Sequence, residues 1–139
     1  MEGHHPAASA EIAVDTARRP VVDLTDELEE FCRGRGDGLV NVFAPHATAG
    51  LALIETGSGS ESDLVDLLEG LVPRDDRYRH RHGSPGHGAD HVLPALVSPS
   101  LVVPVGAGRP HLGTWQRLVL VDLNADNPHR RVRFTYLGS

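Results

Sequence analysis

Lysine does not occur in this 139-residue chain; all 13 basic side chains are arginine. That excludes Schiff-base chemistry, a lysine general base and a P-loop lysine. The single cysteine, Cys32, excludes an intrachain disulfide and a zinc site built on several thiolates. No stretch approaches the ~18 consecutive apolar residues of a membrane-spanning helix. The first ten residues carry neither a basic n-region nor an apolar h-region, so a cytoplasmic location is expected. With 19 acidic residues the net charge is -6, which removes any general attraction to nucleic acid or anionic lipid, and neither is an expected partner. What is present suits one globular domain: 40% hydrophobic and 23% charged residues in a length typical of a single core. Residues 1–10 read as a flexible N-terminus and 11–139 as the single domain.

Histidine is abundant. There are nine, including those at positions 80, 82, 87, 91 and 111. Imidazole is the commonest metal ligand and titrates near neutrality, so the cluster is a candidate site.

Periodicity gives the elements. Alternation over 11–16 predicts a half-buried strand. Thr25, followed by Asp26 and Glu27, predicts a capped helix over 26–33 with Leu24, Leu28, Phe31 and Cys32 on its apolar stripe, stopped by Gly34 and Gly36. The 35–37 tripeptide Arg-Gly-Asp is then a helix-to-strand turn. Strands are expected over 39–44 and 50–55, joined by 45–49 as a hairpin or a tight strand–loop–strand. Ser60 to Asp63 has capping-box spacing ahead of Leu64, Leu67, Leu68 and Leu71, a helical period that Pro73 ends. Asp90 is placed to cap a short helix through Val97, with Pro94 near its first turn. Strands over 101–105, 115–123 and 131–137 complete an α+β chain of mainly antiparallel packed sheets with two or three helices.

Several chemical signatures are missing: G-x-G-x-x-G, H-E-x-x-H and G-x-S-x-G. Others are present. His46 ends a strand in P-H-A-T-A-G, beside Thr48, where it can project into a cleft. Glu55 ends the next strand and reaches the same region if the pair is a hairpin. His82 and His91 flank a glycine-rich loop, so three imidazoles could meet at a catalytic metal or remain exposed loop side chains. Trp115 and Gln116, in G-T-W-Q, make either a core anchor or a ring that stacks on a heterocycle. Arg131 and Arg133 share one strand face, where they either grip a phosphate or solvate an edge strand.

The motifs over 38–50, 71–78, 89–92, 103–109 and 113–116, with Glu55, His82 and the R-R-V-R stretch from Arg130, resemble in order those of the YjbQ family. That family is often labelled secondary thiamine-phosphate synthase. The resemblance implies a YjbQ-like α+β domain assembled as a homotrimer. It further implies a metal or anion site that His46, His82 and His91 would hold, with Glu55 at the acidic position and Trp115 in the family's G-T-W-Q. The activity it implies joins a hydroxymethylpyrimidine pyrophosphate to a thiazole phosphate, with a divalent ion (zinc or magnesium) neutralising the departing oxygens. In that reading His46 and Glu55 are catalytic, while Thr48, Trp115, Gln116 and Arg133 bind substrate. The alternatives are metal-assisted phosphate-ester hydrolysis and a non-enzymatic trimer that captures a small phosphorylated molecule or inorganic anion. Ile54, Thr56, Ser58, Leu93, Pro94 and the 124–130 turn depart from the family pattern and remove polar groups suited to a second ion or a phosphate.

Overall fold

A computed structural model describes residues 8–81 and 83–139. Among the described residues, eight strands and three helices follow one another as β1 (Ala8–Asp15), β2 (Val21–Asp23), α1 (Thr25–Cys32), β3 (Gly38–Phe43), β4 (Gly50–Ile54), α2 (Ser60–Leu71), α3 (His87–Val92), β5 (Ser100–Gly106), β6 (Arg109–Pro110), β7 (Arg117–Val121) and β8 (His129–Gly138), with a 3-10 turn at Leu93–Ala95. They form a five-stranded sheet in the order β1-β8-β3-β5-β6 and a three-stranded sheet in the order β2-β7-β4. Every pairing is antiparallel. The expected α+β class with packed antiparallel sheets therefore holds.

The main core lies between the two sheets. It takes Val40 and Val42 from β3, Val103 and Val105 from β5, Val132 and Phe134 from β8, and Leu118 and Leu120 from β7. Leu28, Phe31 and Cys32 of α1 close one end of it. Each such side chain stabilises the fold by roughly 1.5–3 kcal/mol through loss of water contact. A second core lies behind the smaller sheet, where Leu68 of α2, Leu93 and Val97 meet Val119 and Val121. Strand β7 is thus buried on both faces, which explains its continuous Leu-Val-Leu-Val run. Cys32 is core filler, as its place on the apolar stripe of α1 predicts.

Several local expectations are corrected. The segments 39–44 and 50–55 do not form a hairpin: β3 pairs with β5 and β8, whereas β4 pairs with β7 in the other sheet. The 45–49 segment is a crossover between layers, and its length is as suitable for that as for a hairpin. Thr25 does not cap α1; its hydroxyl accepts the Leu118 N–H at 2.9 Å, while Asp23 accepts the Thr25 N–H at 2.9 Å. The capping box at Ser60 is not formed either. Gly59 precedes α2, and Glu61 instead accepts the Gly57 N–H at 3.0 Å. Of the α2 leucines, Leu68 is buried but Leu67 and Leu71 are exposed. Asp90 is interior to α3 rather than its cap, because the helix begins three residues earlier. Strand β1 begins at Ala8, inside the segment expected to be loose, and β7 begins only at Arg117. Among the described residues, no helix is long and apolar enough to cross a membrane.

Candidate metal centre

Helix α3 carries His87 and His91 four residues apart, hence on one face. The preceding loop folds back over that face and brings His80 onto it. The three rings gather with centroids 4.9 Å (His80–His87), 4.1 Å (His80–His91) and 4.6 Å (His87–His91) apart. One ring nitrogen from each lies within 4.8 Å of the others.

Polar contacts fix the arrangement. Asp126, in the turn between β7 and β8, accepts from His87 Nδ1 at 2.9 Å. Contact with Ser84, whose N–H donates at 3.3 Å, followed by the bond from His87, holds the Asp126 carboxyl below the usual carboxylate range. An ionised Asp126 keeps the His87 proton on Nδ1 and leaves Nε2 as the lone pair, 3.0 Å from His91 Nε2. The helix itself is tethered by a buried acid: Arg74 Nη1 forms an ion pair with Asp90, whose side chain is only 1% exposed, and Arg74 Nη2 adds a bond of 3.2 Å. The Asn124 amide donates to the same carboxylate at 2.9 Å.

These residues fit a metal ion. Donors of a tetrahedral zinc, about 2.0–2.1 Å from the metal, stand roughly 3.4 Å apart. The nitrogens lie within 4.8 Å of one another, with one pair at 3.0 Å, and a carboxylate sits behind one imidazole, as is usual for metal-bound histidines. An all-nitrogen donor set selects zinc, cobalt, nickel or copper over magnesium. Beside the cluster lies a pocket of about 370 Å³, lined by Arg74, Asp75, Asp76, His80, Arg81 and the 83–88 loop with His87. It is the size of small-molecule sites.

The residues singled out in the sequence divide. His91 is in the cluster. His82 lies outside the described residues. His46 is not in the cluster: its Nε2 accepts the Arg131 N–H at 2.9 Å and prolongs the β3–β8 ladder past Phe43. Burial first, with Arg130 adding repulsion, holds its pKa below the ordinary value. Glu55 directly follows β4, and the β3–β4 hairpin on which its convergence with His46 is conditional is not formed. Thr48 is buried and accepts from Arg130 Nη2 at 2.8 Å, a structural contact. Arg133 is engaged by Glu11 at 2.6 Å, as is Arg131 at 3.6 Å, which makes them a solvated strand face closed by an acid. Trp115 is 70% exposed, so it is not a core anchor; Gln116 accepts the Gly113 N–H at 2.7 Å and shapes the turn before β7. His80 and His87, counted in the histidine-rich stretch, are not among the expected ligands, and Asp126 is not singled out at all. His87 and His91 carry a readable signal, H-x-x-x-H, which is lost when the helix is begun at Asp90; Asp126 carries none.

Similar proteins point the same way on fold. The family model described as UPF0047 protein YjbQ-like matches residues 10–139. A UPF0047 protein of Mycobacterium bovis is 67% identical over 124 residues, spanning 89% of this chain and 96% of its own. One from Archaeoglobus fulgidus is 37% identical over 122 residues, spanning 87% and 94%. The crystal structure of a hypothetical protein from Aeropyrum pernix has a TM-score of 0.84 at 32% identity, covering 95% of this chain and 99% of that one. A YbjQ-like protein of unknown function from Sulfolobus solfataricus has a TM-score of 0.88 at 25% identity, covering 96% and 98%. With its motifs in the family's order, its sheets in the family's arrangement and the family model matched along almost its whole length, the chain belongs to the YjbQ family.

Proposed function

We propose that the protein is a metal-dependent enzyme acting on a small phosphorylated heterocycle, with His80, His87 and His91 holding a zinc-class ion. The observation that carries this is the meeting of three imidazoles with Asp126 behind His87. When bound, the ion supplies Lewis-acid neutralisation of developing negative charge on phosphate oxygens. The chain's own residues do the rest. Asp126 keeps the proton on His87 Nδ1. Arg81 offers an exposed guanidinium to an anion in the adjoining pocket, while Arg74 is committed to Asp90. In its specific form the reaction joins hydroxymethylpyrimidine pyrophosphate to thiazole phosphate, forming the carbon–nitrogen bond of thiamine phosphate and releasing pyrophosphate. His46, Glu55, Thr48 and Arg133 carry no step in this reading, since none of them is in the cluster or lines its pocket.

The assembly belongs to the same proposal. The outer face of the larger sheet sets Leu39 beside Leu137 and Pro104, with Val102 one row along. Leu39, Val102 and Leu137 are 46%, 55% and 62% exposed. An apolar face of this kind suits burial against further copies of the chain, in the homotrimer that the family resemblance implies.

The test uses protein purified without a histidine tag. Elemental analysis is expected to find close to one zinc-class ion per chain, lost in His87→Ala and His91→Ala. Incubation with the pyrimidine pyrophosphate and the thiazole phosphate is expected to yield thiamine phosphate and pyrophosphate in equal amounts, abolished by a chelator. A wild-type protein that retains and takes up no metal overturns the whole reading. Metal uptake without product overturns the synthase reaction.

A further inference from the structure

Asn124 spends every polar atom of its side chain on two elements that meet at the cluster, the helix bearing two of its histidines and the turn bearing Asp126. Its Nδ2 donates to Asp90 Oδ2 at 2.9 Å, in the helix that bears His87 and His91. Its Oδ1 accepts the Asp126 N–H at 2.9 Å and the Asn127 N–H at 3.1 Å, an Asx turn that presents the Asp126 carboxylate. That carboxylate then returns to the helix through His87 Nδ1. Two rungs, Asn124–Asp90 and Asp126–His87, therefore clamp α3 to the turn between β7 and β8. The clamp is rooted in the core: the Asn124 N–H donates to Asp122 Oδ1 at 3.0 Å, and Asp122 is the buried partner of Arg130.

We infer that Asn124 is a positioning residue for the histidine cluster, setting where Asp126 meets His87 and hence which His87 nitrogen faces the ligand. The inference rests on the metal reading for its ligand but on hydrogen-bond geometry for its mechanism. A buried amide is suited to the task. It donates and accepts at once, whereas aspartate can only accept when ionised and serine cannot span both rungs. Contacts behind a metal ligand fix ring orientation and typically govern 10–100-fold in metal affinity.

The experiment measures zinc affinity of the full chain by competition with a chromophoric chelator, for wild type, Asn124→Ala, Asp126→Asn and the double variant. Imidazole nitrogen NMR of the metal-free proteins, assigned with His87→Gln, reports the His87 tautomer. Both single variants are expected to bind zinc about 10–100-fold more weakly. The double variant is expected to be no weaker than Asn124→Ala alone, because both changes break one chain of contacts. Metal-free wild type should hold the proton on Nδ1, and Asn124→Ala should show mixed tautomers. Asn124→Asp, which keeps both N–H acceptors but loses the donor to Asp90, is expected to retain the tautomer and still lose zinc affinity; it also serves if the alanine variant does not fold. Unchanged affinity and tautomer in a folded Asn124 variant overturn the inference, as do fully independent single effects. A wild type that binds no zinc while Asn124→Ala still scrambles the His87 tautomer would sink the metal reading alone and leave the positioning role standing.

Discussion

Arg130 and Asp122 face each other across the two sheets as a bidentate ion pair, Nε to Oδ2 at 2.7 Å and Nη2 to Oδ1 at 2.9 Å. Arg130 belongs to β8 of the larger sheet, and Asp122 directly follows β7 of the smaller. Both side chains are buried, at 2% and 0% exposure. Thr16 donates to Asp122 at 2.6 Å, and Arg130 donates onward to Thr48 at 2.8 Å, so the charges are enclosed by hydrogen bonds. Removing one partner strands the other charge in the core. Arg130→Ala and Asp122→Ala are each expected to lower unfolding free energy by about 3–5 kcal/mol. Replacing both, as Arg130→Met with Asp122→Leu, should cost less than either alone. Urea denaturation of the three variants checks this.

The His46 ring gives a pH dependence with a definite sign. Its folded pKa lies below the ordinary value because burial disfavours the cation and Arg130 repels it. The unfolded chain therefore takes up the proton first, near pH 6.5, and stability falls as the pH drops through the window between the two values. Protonation also removes the acceptor for the Arg131 N–H. Thermal midpoints measured from pH 7.5 down to pH 5 should fall less steeply in His46→Gln than in wild type. An identical slope in both would show that His46 does not contribute.

Gly50 opens β4 against the backbone of Val97, and a Cβ there would run into the Val97 carbonyl oxygen. No rotamer relieves a clash with main chain. Gly50→Ala is expected to destabilise by about 1–3 kcal/mol, the range for overpacking a closed site, by pushing the segment after the 3-10 turn away from the smaller sheet. Gly70→Ala, where a Cβ meets open space, should be neutral or stabilising. Chemical denaturation distinguishes the two.

The apolar outer face of the larger sheet is open to a direct check of assembly. Light scattering of wild type is expected to give the mass of three 14.9 kDa chains. Leu39→Glu with Leu137→Glu places like charges directly opposite each other in the β3–β8 register and should shift the protein to monomer with its far-ultraviolet dichroism intact. A wild type that runs as a monomer overturns the assignment of this face to self-association.

What the sequence determined by itself is the local periodicity and its consequences. Alternation in β3, β5 and β8 dictates which side chains face the core, and the stripe of Leu28, Phe31 and Cys32 dictates how α1 lies, because a repeat of two or 3.6 is written in neighbouring residues. Tertiary structure alone decided which strands pair, sending β3 and β4 to different sheets although only the crossover 45–49 separates them. It also decided that Asp90 is a buried anchor for Arg74 rather than a cap, and that His80 and Asp126 come to His87 and His91 from separate loops. Pairing and convergence depend on long-range packing, whose free energy is shared among residues far apart in the chain and leaves no short-range period to read.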